Sequence, residues 1–295
     1  MSREDVTIIS DDNPLRGWLY RPDRDLGDTG VPVVVMAHGF SAVKEMGLDR
    51  YAEVFAREGF AVVVFDHPCF GASGGTPRQD VNPDRQLRAY RDVLTWVQGI
   101  PGIDGTRAGV WGSSFSGGQA IVLAATDPRV RAAVAQVPYV CPPAEEIPVE
   151  LAELLAEDAR QRDRGTDPLM LPVVTDDPAG FGALSPDPVA HAWFTGYADR
   201  APAWRNEVTL ASIGRLFTFR PIDIAGPSGA PILLIAERHD VLSPFEFIGR
   251  TCVAMGSRAE LIALEGGHFD VYEEDFGLSS QAAAGWFSRW LTDTD

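Results

Sequence analysis

Residues 31–37 read VPVVVMA, residues 60–66 FAVVVFD and residues 230–236 APILLIA. Each run is apolar nearly throughout and mostly β-branched, the pattern of a strand buried on both faces rather than one. A sheet with two buried faces needs helices on both sides. The chain supplies them: residues 48–58, ended by Gly59, and 84–98, with Leu87, Tyr90, Val93, Leu94 and Val97 at helical spacing, followed by 115–125. Further strands are expected at 107–111 and 131–136. An opening hairpin is expected from 6–9 and 15–20, turned at DDNP. The rhythm returns late, with a helix at 244–255, a strand at 259–264 and a closing helix at 278–291. The fold class is therefore α/β, a mostly parallel eight-stranded sheet with helices on both faces.

The rhythm breaks between residues 139 and 229. This segment opens on Pro142 and Pro143 and shows one clear helix, 149–162. It carries Phe181, Trp193, Phe194, Tyr197, Trp204, Phe217 and Phe219. An aromatic insertion of this length in a regular α/β chain reads as a cap over a site. The domain division is a core of 1–138 and 230–295 with an inserted cap at 139–229.

At 111–118, WGSSFSGG follows a strand and opens a helix, the setting of a G-x-S-x-G nucleophile turn. Residues two before and two after the nucleophile must be small. That excludes Ser113, because Trp111 would occupy such a place. Ser116 has Ser114 and Gly118 around it but falls inside the first helical turn. Ser114, between Gly112 and Ser116, sits where the turn comes and is the expected nucleophile. Ser116 stands where glycine is usual.

A serine hydroxyl needs a base, usually histidine oriented by a carboxylate. Of five histidines, only His268 lies beyond the last strand, on the Gly-rich loop EGGHFDVY. Active-site groups of open parallel sheets gather at the carboxyl ends of strands. Asp240, four residues past APILLIA, is the expected acid, and Glu237 is the runner-up. Phe40, in the HGF that follows VPVVVMA, and Phe115 are the expected backbone N–H donors to an oxyanion. His38 is read as a structural loop residue.

His38-Gly39-Phe40, Asp66 with Gly71-Ala72-Ser73-Gly74, residues 112–118, Asp240 and Gly267-His268-Phe269 together resemble the α/β-hydrolase superfamily of serine hydrolases. HGFSAVKEM, FGASGG, WRNEV and GGHFDVY look most like small bacterial esterases of the dienelactone-hydrolase-like or X-Pro-dipeptidyl-peptidase-like type. The resemblance implies an acyl-enzyme on Ser114 and cleavage of a small or medium ester, thioester or lactone, with no cofactor and no metal. Acyl transfer, cyclisation or carbon–carbon hydrolysis by the same residues are the alternatives, as is a non-catalytic ligand-binding protein. Peptidase relatives hold a substrate amine with acidic groups. Glu145, Glu146 and Glu150 are candidates for that role, with a solvated helix face the favoured reading.

The net charge of −17 disfavours nucleic acid and anionic membrane as partners. The expected partner is a small-molecule acyl substrate. Cys69, Cys141 and Cys252 show no CxxC spacing and read as reduced thiols, Cys69 as a buried one. The acidic N-terminus has no apolar signal core, and no run approaches the roughly 20 residues of a membrane span. The expectation is a cytoplasmic protein, its oligomeric state open, a homodimer included.

Overall fold

A computed structural model describes residues 1–23, 30–142, 146–177, 180, 182–184 and 187–292. The chain opens with the antiparallel pair β1 (Ser2–Ser10) and β2 (Asn13–Arg21). Asp11 and Asp12 form its two-residue turn, both at positive φ, which suits the twist of a hairpin. There follow β3 (Val31–Ala37), α1 (Leu48–Arg57), β4 (Ala61–Phe65), α2 (Pro83–Trp96), β5 (Ile103–Ser113), α3 (Phe115–Thr126) and β6 (Val130–Gln136). Next come α4 (Val149–Asp163), β7 (Met170–Leu171), α5 (Pro188–Gly196), β8 (Val208–Thr209) and α6 (Leu210–Thr218). The chain closes with β9 (Ile232–Glu237), α7 (Phe245–Met255), β10 (Ala259–Leu264) and α8 (Phe276–Leu291).

Eight strands form one sheet in the order β1-β2-β4-β3-β5-β6-β9-β10. The last six in that order are parallel, and β1 and β2 are the antiparallel edge. Alternate residues of the central strands feed two separate cores. Val33, Val35 and Ala37 pack with α2, α3 and α7; Val34 and Met36 pack with α1 and α8. The doubly apolar runs are thus explained: both faces are covered. Among the described residues, no helix is long and apolar enough to cross a membrane.

Two elements differ from the expectation. β5 begins at Ile103 rather than 107, because Ile103 pairs with Val31 and an irregularity in register carries the strand past Gly105. Asp104 there accepts from Thr106 N–H and from Arg107, local bonding that reads as a turn. Among its described residues the 139–229 segment holds three α-helices and a short strand pair, where one clear helix was expected. Asp187 caps α5 with Pro188 at its first position, and Thr209 caps α6.

This segment is tied firmly to the sheet domain. Thr209 Oγ1 and Arg215 both bind the buried Asp80 carboxylate, at 2.7 and 2.8 Å. Val81 N–H donates to Ser212 Oγ, and Thr209 N–H donates to the Gln79 carbonyl.

Candidate active site

Ser114 joins β5 directly to α3, with φ 56° and ψ −117°, a backbone conformation costly for a residue with a Cβ. Its neighbours explain how the turn closes. A Cβ on Gly112 would lie 2.0 Å from the Ser116 carbonyl oxygen, so only glycine fits beneath the first turn of the helix. The strained residue is held by its own peptide groups. Ser114 N–H donates to Gln136 O at 2.8 Å, and Ser114 O accepts from Gly118 and Tyr139.

The three side chains singled out in the sequence lie together at the carboxyl end of the sheet. Ser114 Oγ is 3.0 Å from His268 Nε2, and His268 Nδ1 is 2.7 Å from Asp240 Oδ2. The other Asp240 oxygen, Oδ1, accepts from Leu242 and Ser243 N–H at 2.8 and 2.7 Å. Those amides fix the carboxylate, which requires Nδ1 of the ring to donate. Nε2 is then the free acceptor facing the serine hydroxyl.

Glu237 does not contact the histidine ring. It is fully buried at the end of β9 and its Oε2 accepts from Gly266 N–H at 2.7 Å, so it holds the loop that carries His268. Burial pushes its carboxyl up to about 7, from an ordinary value of 4.5. Between those values the folded chain binds a proton that the unfolded chain releases. The stability from this proton is complete below about 4.5 and lost as pH rises through about 7. Glu237→Gln is therefore expected to exceed the native protein in stability by about 3 kcal/mol at pH 8.5 and to lose that advantage at pH 4.5. Urea unfolding at the two pH values measures it, and an equal difference at both would refute the assignment.

Phe40 and Phe115 flank Ser114 in one cavity, their rings 5.9 Å apart. Phe115 is the first residue of α3, so its N–H has no partner within the helix. The loop bearing Phe40 lies against the serine: a Cβ on Gly39 would meet Ser114 Cβ at 3.1 Å. Asp66 ties this loop to the one after β4. Its Oδ1 accepts from Lys44 N–H, and its Oδ2 accepts from Lys44 Nζ and Ala72 N–H.

The cavity above Ser114 has about 1050 Å³ including its mouth. Tyr139, Leu184, Trp193, Phe194 and Leu216 form one wall, all from the 139–229 segment. Trp193 stacks on Phe269, the residue after His268, at 4.7 Å. Of the aromatics flagged in the sequence, Trp193 and Phe194 reach the cavity, and Phe181 lies outside the described residues. Cys141 also lines it and was not singled out; nothing in its sequence context marks a half-buried thiol as pocket lining. Cys69 is fully buried and absent from the lining. Glu146 and Glu150 are exposed, and Glu145 lies outside the described residues.

Serine, aspartate and histidine, in that chain order, meeting above the carboxyl ends of such a sheet define the α/β hydrolases. The X-Pro dipeptidyl-peptidase (S15 family) profile matches residues 13–145. The thiohydrolase aneE of Aspergillus aculeatus is 33% identical over 248 residues, covering 78% of this chain and 74% of that one. The polyketide transferase af380 of Aspergillus fumigatus is 31% identical over 249 residues, covering 82% of each. The crystal structure of the alpha/beta hydrolase GrgF from Penicillium sp. sh18 superposes with a TM-score of 0.85 at 25% identity, over 99% of both chains. The chain belongs to the α/β-hydrolase superfamily, in the family that contains these thiohydrolases and polyketide transferases.

Proposed function

We propose that this enzyme cleaves a thioester or ester of a medium-sized, uncharged acyl group through an acyl-enzyme on Ser114. One observation carries the reading: the continuous hydrogen-bond line Ser114–His268–Asp240 at the floor of an apolar cavity. Ser114 Oγ attacks the carbonyl and His268 Nε2 takes its proton. Asp240 holds the ring tautomer and stabilises the imidazolium. The N–H groups of Phe40 and Phe115 receive the developing oxyanion, the second at the positive end of α3. His268 returns the proton to the leaving thiol or alcohol, then activates the group that releases the acyl chain.

The described lining has no carboxylate and no lysine or arginine. It suits an uncharged, apolar acyl group better than a peptide held by its amine. The relatives' names support thioesters and polyketide-derived acyl groups as the substrate class. The 139–229 segment acts as the cap, its aromatic wall displacing water from the reacting carbonyl. That wall, with relatives named as transferases, favours a second reading in which an alcohol or amine acceptor replaces water. The free thiols of Cys69, Cys141 and Cys252 and the acidic charge support a cytoplasmic setting.

Intact mass after incubation with a fluorophosphonate tests the reading. A single adduct is expected on the native protein and none on Ser114→Ala. No adduct on the native protein, or one on the variant, would sink it. Turnover in ¹⁸O-water then separates the two outcomes: hydrolysis places solvent oxygen in the acid product, and transfer does not.

A further inference from the structure

We propose that Ser116, oriented by His67, is a positioning residue that sets the direction of the Phe40 N–H. This rests on the reading of Phe40 as an oxyanion donor. The sequence explains Ser116 only as small enough for a place where glycine is usual. In the structure its hydroxyl is fully buried behind the nucleophile and bonded on several sides.

The hydroxyl has one proton to give. His38 O lies at 2.5 Å and Gln119 Oε1 at 3.0 Å. The carbonyl is the nearer acceptor and takes the proton. His67 Nε2 lies 2.9 Å from the same oxygen and so must donate to it. The backbone N–H of His67 donates to His38 Nε2 at 3.0 Å, which makes that nitrogen an acceptor. The proton of the neutral His38 ring then sits on Nδ1, and it donates to Gly39 O at 2.9 Å. Burial pushes both rings below their ordinary range, toward the neutral forms this assignment needs.

Two successive peptide planes are pinned by this arrangement. Ser116 holds the carbonyl of the His38–Gly39 peptide. The His38 ring holds the carbonyl of the Gly39–Phe40 peptide, and in a planar trans peptide the N–H points opposite its carbonyl. The direction of the Phe40 N–H follows from those two bonds. His67 serves both, one through its side chain and the other through its backbone. Glycine at position 116 leaves the first peptide unheld. Ser116, His38 and His67 do not line the cavity, so they act on the reaction only through the loop.

The test is steady-state turnover of p-nitrophenyl butyrate, with inhibition by an alkyl trifluoromethyl ketone that forms an oxyanion on Ser114. In Ser116→Ala, kcat is expected to fall about 10- to 100-fold, a part of what losing an oxyanion donor costs. KM should stay within about twofold, since ground-state contacts are untouched. Affinity for the ketone should weaken by the same factor as kcat. Ser116→Cys, which keeps a weaker donor in nearly the same volume, should lose less of both than alanine does. Unchanged kcat in folded Ser116→Ala, or ketone affinity that does not follow kcat, overturns the proposal. If circular dichroism shows the alanine variant misfolded, Ser116→Gly is read by the same criteria. A native protein that forms no fluorophosphonate adduct marks failure of the parent reading. A labelled, active native protein with an inert position 116 marks failure of this inference alone.

Discussion

Asp240→Asn is expected to lower kcat by about 10⁴-fold with the fold intact, the size that reversing a histidine tautomer has in serine proteases. The reason lies in the two amides at Oδ1. Leu242 and Ser243 N–H both donate to that atom, so in the variant it must remain the carbonyl oxygen. The new NH₂ then faces His268 Nδ1 and donates to it. Nδ1 becomes an acceptor, the ring proton moves to Nε2, and Nε2 can no longer take the proton of Ser114. Steady-state kinetics measures the loss, and thermal unfolding verifies that the variant is native-like. A loss below about tenfold would mean that Asp240 does not set the tautomer.

Gly112→Ala is expected to cost more than about 3 kcal/mol of stability, a large share of the roughly 5–15 kcal/mol a domain of this kind has. The added methyl carbon would sit 2.0 Å from Ser116 O, 2.3 Å from Ser116 C and 2.9 Å from Gly117 N. All three are backbone atoms of the first turn of α3, so no side chain can swing aside. Gly112 is also fixed from both flanks, paired with Ala37 and Ala135 inside the sheet. The turn must open, and Ser114 moves with it. Chemical denaturation and fluorophosphonate labelling together check this. A variant that melts within about 2 °C of the native protein and still labels would refute the packing account.

The sheet was legible because its central strands leave no ambiguity: a run such as VPVVVMA has no polar residue to turn toward water. The positions of Ser114, Asp240 and His268 were legible for a related reason. Each stands just past a strand end, and parallel strands bring those ends to one edge. Their mutual contact depends on how the loops after β5, β9 and β10 fold, which no spacing supplies. Two helices of the 139–229 segment were missed. Helices α5 and α6 have nine residues each, too few for apolar spacing to separate from chance. Their starts were written in Asp187-Pro188 and Thr209, but capping residues are as common in turns. The beginning of β5 was hidden by Asp104, Gly105 and Thr106, which look like a loop and fall in the register irregularity between the Val31–Ile103 and Val33–Ala108 pairs. Ser116 shows a further limit. Its size was readable, but the acceptor and the donor that hold its hydroxyl, the His38 carbonyl and the His67 ring, are distant in the chain.

The backbone of Ser114 sets robustness against turnover at a single codon. Glycine would adopt φ 56° and ψ −117° at less cost and relax the turn, yet it removes the oxygen on which the proposed chemistry depends. Drift toward sturdier variants and selection for catalysis therefore pull this position in opposite directions. A descendant of this chain released from its reaction would be free to lose the serine first and to persist as a more stable protein with the same cavity.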